Sequence, residues 1–99
     1  MENILFEISY KIDPERKDEY FEIVSELTDL FKMDGVLEYR VFEDSKDEDA
    51  YTEQILFENE DTFDAFEDKQ PEEAEKLISR LFDDIVVPGS VKYSTKKLI

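Results

Sequence analysis

The sequence predicts an α+β fold: a four-stranded antiparallel sheet with its helices on one face. Three observations predict it. Residues 3–12 alternate with a period of two, and residues 20–31 carry apolar side chains at three- and four-residue spacings. The run Tyr51-Thr-Glu-Gln-Ile-Leu-Phe-Glu-Asn-Glu-Asp-Thr-Phe-Asp-Ala-Phe66 passes from strand to helix within about three residues. Strand and helix periods thus succeed one another without any stretch long enough to be a linker.

The elements follow in order. Ile4, Phe6, Ile8, Tyr10 and Ile12 fall on one face of a first strand, with Glu7, Ser9 and Lys11 on the other. Asp13-Pro14 then starts a helix, because Asp can cap and Pro suits the first helical position. That helix runs to about Lys32, with Tyr20, Ile23, Val24, Leu27, Leu30 and Phe31 as its apolar stripe. Gly35 is the expected left-handed stop.

Val36 to Phe42 is rich in β-branched and aromatic residues and reads as a second strand. An acidic connection over residues 43–49 leads to a third strand, Tyr51 to Glu58, so the second and third strands form an antiparallel hairpin. Asn59 caps a helix over roughly residues 60–68, whose buried side is Phe63 and Phe66. Gln70-Pro71 restarts a helix to about Asp84, with Leu77, Ile78, Leu81, Phe82 and Ile85 inward. Pro88-Gly89 ends it, and Val91 to Leu98 is the last strand. The order β-α-β-β-α-α-β is the ferredoxin-like split β-α-β arrangement with a broken second helix. It fills residues 1–99 as a single domain.

Composition narrows the function classes. The formal net charge of −16 disfavours nucleic acid and anionic membrane surfaces, both of which require clustered Lys and Arg. It reads as a solvated acidic surface, with adaptation to salt as a second explanation. With no Cys and no His, the chain has no thiol nucleophile, no disulfide framework and no serine–histidine or cysteine–histidine pair. No apolar run approaches the roughly 20 residues of a membrane helix, and no signal peptide opens the chain, so a cytoplasmic protein is expected. Asp44, Asp47 and Asp49 lack the spacing, the turn Gly and the terminal Glu of a calcium loop, and no metal site is expected. Only Gly35 and Gly89 are present, so there is no glycine-rich phosphate loop.

Three groups can carry chemistry. Phe57, Phe63 and Phe66 form either an aromatic pocket wall or ordinary core. Tyr10, Tyr39, Tyr51 and Tyr93 lie in strands, where a hydroxyl can orient a phenolic ligand or can simply sit at a sheet face. Glu53 shares its face with Tyr51, Ile55 and Phe57. A carboxylate on an apolar face has its pKa raised and suits a general base; the plainer reading is a carboxylate in solvent or paired with Arg40 on the neighbouring strand. Arg80 on the last helix is a further cation within reach of a pocket, with a surface position as its plainer reading. Leu5, Val36 or Leu37, Phe42 and Leu56 are surplus to a single apolar face. They predict a homodimer through the outer face of the sheet.

At Phe57-Glu-Asn-Glu-Asp-Thr-Phe-Asp-Ala-Phe66 the chain resembles the antibiotic biosynthesis monooxygenase family of dimeric α+β barrels. In that family an aromatic, commonly Trp, ends a strand, followed by an acidic residue, a small cap and a helix with an apolar residue, Ala and often His. Phe57 stands at the Trp position, Glu58 at the acidic one and Asn59 at the cap; Phe63 and Ala65 match the helix, and Phe66 replaces the His. The element order and Pro14 after the first strand extend the likeness over nearly the whole chain.

The resemblance implies a sheet-to-sheet homodimer with a pocket between sheet and helices in each subunit. It also implies oxidation of an aromatic or quinol compound without metal or flavin, with Glu53 as base. Tyr39, Arg40, Tyr51, Phe57, Phe63, Phe66 and Tyr93 would then bind substrate. Haem degradation through a proximal His is ruled out by the absence of His. A non-catalytic barrel that binds a small apolar ligand, or serves a structural or stress role, is the alternative.

Overall fold

A computed structural model describes residues 2–99. Its elements are β1 (Ile4–Lys11), a 3-10 turn (Pro14–Arg16), α1 (Lys17–Leu30), β2 (Val36–Glu43), β3 (Ala50–Phe57), α2 (Glu60–Lys69), α3 (Glu72–Arg80), a π-turn (Leu81–Ile85) and β4 (Lys92–Lys97). The four strands form one sheet in the order β2-β3-β1-β4, with every neighbouring pair antiparallel. This is the predicted α+β, ferredoxin-like order.

Alternation assigns the faces. Tyr10 lies opposite Tyr51, Ile8 opposite Glu53 and Phe6 opposite Ile55. These residues face the helices, and Tyr10, Tyr51, Glu53, Ile55 and Phe57 are buried. From α1 come Tyr20, Ile23 and Leu27, all fully buried, as the three- and four-residue spacing requires. Phe63 and Phe66 of α2 pack on the edge of this core.

Three details differ from expectation. The first helix opens as a 3-10 turn, with Asp13 Oδ1 accepting from the Glu15 amide, and becomes α-helical only at Lys17. Gly35 has φ +88°, but it lies five positions past Leu30 and does not cap α1. Its carbonyl accepts from the Glu58 amide at 2.9 Å, which ties the β2 entry to the end of β3.

The last helix is α-helical only to Arg80. The Val86 amide then donates to the Leu81 carbonyl, a wider π-type turn that leaves both Leu81 and Ile85 fully buried. Asp83 and Asp84 oppose the dipole of a continuing helix. The chain is instead handed to the end of β1 through Asp13 amide to Ile85 carbonyl and Val87 amide to Lys11 carbonyl bonds.

The acidic connection between β2 and β3 is used structurally. Asp44 and Asp47 accept from the amides of Lys46 and Asp49, while Asp47 and Asp49 pair with Lys11 and Lys17 at 3.2 and 3.1 Å. No helix among the described residues is long and apolar enough to cross a membrane.

Candidate active site

In β3 every second residue is buried, so the strand that places Tyr51, Ile55 and Phe57 in the core must place Glu53 there too. Glu53 is only 4% exposed and is the one buried charged residue among the described residues. Two hydroxyls meet its carboxylate. Tyr39 of β2 donates to Oε1 at 2.6 Å, and Tyr10 of β1 donates to Oε2 at 2.8 Å. The Tyr20 hydroxyl of α1 lies 2.8 Å from that of Tyr10. Because the Tyr10 hydrogen is committed to the carboxylate, Tyr20 supplies the hydrogen between the two phenols.

Burial raises the pKa of Glu53, and the Tyr39 and Tyr10 hydrogen bonds pull it only part of the way back. The phenols move the other way from ionisation. Burial, and after it the charge of Glu53, push Tyr10 and Tyr39 far above the ordinary tyrosine value. Burial also raises Tyr20. The three tyrosines therefore remain protonated donors, and the group able to take a proton here is Glu53.

A cavity of about 170 Å³ lies between the sheet and the helices, with Glu53 in its wall. Phe6, Ile8 and Ile55 form the sheet side; Phe31, Phe66, Ile78 and Phe82 form the helix side. Glu67, Gln70 and Tyr93 complete the lining. A wider depression of about 450 Å³ between α1 and α3, around Leu30 and Leu77, is open and contains none of the buried titratable groups. The buried carboxylate belongs to the smaller cavity.

The sequence-predicted residues divide. Glu53 and Tyr39 meet directly, and Phe66 and Tyr93 line the cavity. Tyr93 is 65% exposed and stacks on Phe6 at 6.0 Å, with 14° between the rings. Phe57 is fully buried behind Phe66 and Phe63, with centroids at 5.0 and 5.3 Å, so it supports the wall from behind. Phe63 packs against Phe6 at 5.4 Å and does not line the cavity. Tyr51 donates to Glu43 at 3.2 Å and packs against Tyr20, beyond the end of the cavity.

Arg40 is not brought to the site. It pairs in register with Gln54, one residue off the Glu53 face, and its guanidinium meets Glu38 at 3.1 Å. The plainer reading of Glu53, in solvent or paired with Arg40, therefore does not hold: two neutral tyrosine donors meet the buried carboxylate. Arg80 meets Glu19 at 3.4 Å on the surface.

Two residues of the site carried no sequence signal strong enough to find them. Tyr20 belongs to the helix stripe and Gln70 to a helix break. Only the tertiary packing brings them to one place.

Comparison with known proteins places this fold. The sequence model of the family described as antibiotic biosynthesis monooxygenase matches residues 4–74. No curated protein matches the chain in sequence. Among solved structures, a conserved protein from Methanosarcina mazei superposes with a TM-score of 0.81 at 13% identity, covering 97% of this chain and 92% of that one. A protein from Deinococcus radiodurans, provisionally named an antibiotic biosynthesis monooxygenase, gives 0.78 at 12% identity, covering 97% and 92%. A protein of the same provisional name from Nitrosomonas europaea gives 0.83 at 7% identity, covering 98% and 90%. Identities this low speak to the fold alone.

Proposed function

The chain belongs to the antibiotic biosynthesis monooxygenase family, and from that premise we propose that it oxidises a small aromatic diol with molecular oxygen, using Glu53 as the base. The observation that carries this reading is the Glu53 carboxylate, buried in the cavity wall and held by the hydroxyls of Tyr39 and Tyr10. A buried carboxylate of raised proton affinity is a better match for a phenolic proton than a solvated one.

Size selects the ring. An engineered apolar cavity of about 150 Å³ takes up benzene. The cavity here, at about 170 Å³, suits a single ring rather than a fused polycycle.

The reaction balances without a cofactor. A benzene-1,4-diol and dioxygen give a hydroxyquinone and water. The ring supplies four electrons; one oxygen atom replaces a ring hydrogen, forming a new carbon–oxygen bond as that carbon–hydrogen bond and the oxygen–oxygen bond break, and the other leaves as water, which takes up the ring hydrogen and the hydroxyl proton. Glu53 accepts the hydroxyl proton as the ring becomes electron-rich enough to react with oxygen. It returns that proton to the departing oxygen. Tyr39 and Tyr10 hold the carboxylate in place and disperse its charge when it is ionised. The apolar walls keep water from the reduced-oxygen intermediate.

A second copy of the chain is proposed to cover the outer sheet face, opposite the cavity. Leu5 lies opposite Leu56 there, and Phe42 is 47% exposed; Leu37, at the bulge of β2, is 50% exposed. Several polar groups of this face are already paired, Ser9 with Thr52 and Glu7 with Gln54 and Lys96. They can be covered without loss of hydrogen bonds.

The test is oxygen uptake with a panel of single-ring diols, comparing the wild type with Glu53→Gln. Uptake in the wild type that is lost in the variant is expected. Equal uptake removes Glu53 as the base. Reversible binding without uptake in either protein supports the non-catalytic alternative.

A further inference from the structure

The cavity has a second polar pole that the proposed chemistry leaves unused. Gln70 stands at the C-cap of α2, where its amide donates to the Phe66 carbonyl at 3.1 Å and its extended backbone breaks the helix before Pro71. Gln70 is among the residues that line the cavity. The carboxamide oxygen is buried and has no hydrogen-bond partner among the described residues. A buried polar atom left unpaired forfeits its hydrogen bonds to water with nothing in exchange. Such groups are rare, and this one belongs to a residue of the cavity wall, one side-chain rotation from an occupant. The amide's two ends exchange by rotation about its terminal torsion, so it can accept from or donate to an occupant.

We infer that Gln70 is a specificity-determining residue that selects ligands bearing a second hydrogen-bonding group on the ring, distal to the hydroxyl held by Glu53. This rests on the proposed binding of a single ring in the cavity. Glu53 belongs to the sheet wall and Gln70 to the helix wall. The lining from Phe6, Ile8, Phe31, Ile55, Phe66 and Phe82 is apolar, so it offers a monofunctional phenol no second partner. Glu67 also lines the cavity. With Glu53 it sets two carboxylates against an anionic ring substituent, so the second group is neutral: a hydroxyl rather than a carboxylate. A site with a buried polar group made to pair rejects the analogue that leaves it unpaired.

The experiment is calorimetric binding in oxygen-free buffer, so that no turnover intervenes. The probes are hydroquinone, phenol and 4-hydroxybenzoate, each with the wild type and with Gln70→Met, an unbranched substitution of similar size. In the wild type, hydroquinone binds roughly tenfold more tightly than phenol, and 4-hydroxybenzoate binds more weakly than either. In Gln70→Met, hydroquinone falls to the level of phenol while phenol itself is unchanged, which also shows that the cavity is intact. A hydroquinone preference that survives in Gln70→Met, or equal wild-type affinities for hydroquinone and phenol, overturns the role of Gln70 and leaves ring binding standing. Absence of binding by all three probes overturns ring binding and the role of Gln70 together.

Discussion

The Tyr39 hydroxyl donates to Glu53 Oε1 at 2.6 Å, within the roughly 2.5–2.7 Å expected of a hydroxyl bonded to an ionised oxygen. Tyr39 sits opposite Ile55, the next residue along on the Glu53 face, so the contact is a diagonal one across the β2–β3 pair. This bond lowers the proton affinity that burial raises. Tyr39→Phe therefore raises the pKa of Glu53 further, and the acid limb of the rate profile moves to higher pH. A hydrogen bond to a charged group is worth about 1.5–3 kcal/mol, so the rate on the acid limb falls roughly tenfold or more while that on the high-pH plateau changes less. Oxygen uptake across the pH range measures it.

Glu53 also leaves a signature in stability. Its folded pKa lies above the unfolded value, so the folded state holds more protons between the two. Its contribution to stability is fully present below the unfolded pKa and is lost as pH rises through the folded pKa. Glu53→Gln does not titrate, and its amide can accept from Tyr39 and donate to Tyr10. The variant is expected to be the more stable protein at pH 8, by on the order of 1 kcal/mol for each unit the carboxyl is raised. At pH 4 the difference shrinks. Urea unfolding of both proteins at the two pH values reads it directly.

Gly35 and Thr62 meet closely enough to exclude a side chain. A Cβ on Gly35 would stand 2.1 Å from Thr62 Cγ2, and the backbone there has φ +88°. Thr62 cannot easily give way, because its amide and its hydroxyl both bond to the Asn59 cap at 2.9 Å. Gly35→Ala is expected to cost about 2–4 kcal/mol, from left-handed strain and overpacking together. Adding Thr62→Ser removes the methyl and recovers part of the loss, leaving about 1–2 kcal/mol of backbone strain. Denaturant midpoints of the single and double variants test the division.

The outer sheet face predicts self-association. Sedimentation at micromolar concentration should give two copies of the chain. Phe42→Glu, which sets a charge on that face, should give one copy with an unchanged far-ultraviolet spectrum. A wild-type monomer would contradict the dimer.

Much of this was legible in the residues, and what was not has physical causes. Period two in β3 was enough to place Glu53 among Tyr51, Ile55 and Phe57. Asn59 announced its helix because a cap is a local device. The same alternation denies Arg40 to the site: Tyr39 and Arg40 are adjacent in one strand and cannot share a face. The Tyr10–Tyr20 bond joins a strand to a helix ten residues on and depends on how α1 docks, which no local pattern specifies. The π-turn after Arg80 was hidden because Leu81, Phe82 and Ile85 continue a helical spacing, while the hydrogen bond from Val86 that widens the turn lies outside it. Gly35 was legible as a positive-φ position, but its partner Thr62 is distant in sequence.

The central claim is that Glu53 drives a substrate-only oxidation by oxygen, and product analysis during oxygen uptake tests it most directly. With hydroquinone, the wild type should consume one dioxygen per diol and yield hydroxyquinone and water. Glu53→Gln should bind the diol yet consume oxygen no faster than buffer alone. Equal rates in the two proteins, or quinone and hydrogen peroxide as the only products, would contradict it.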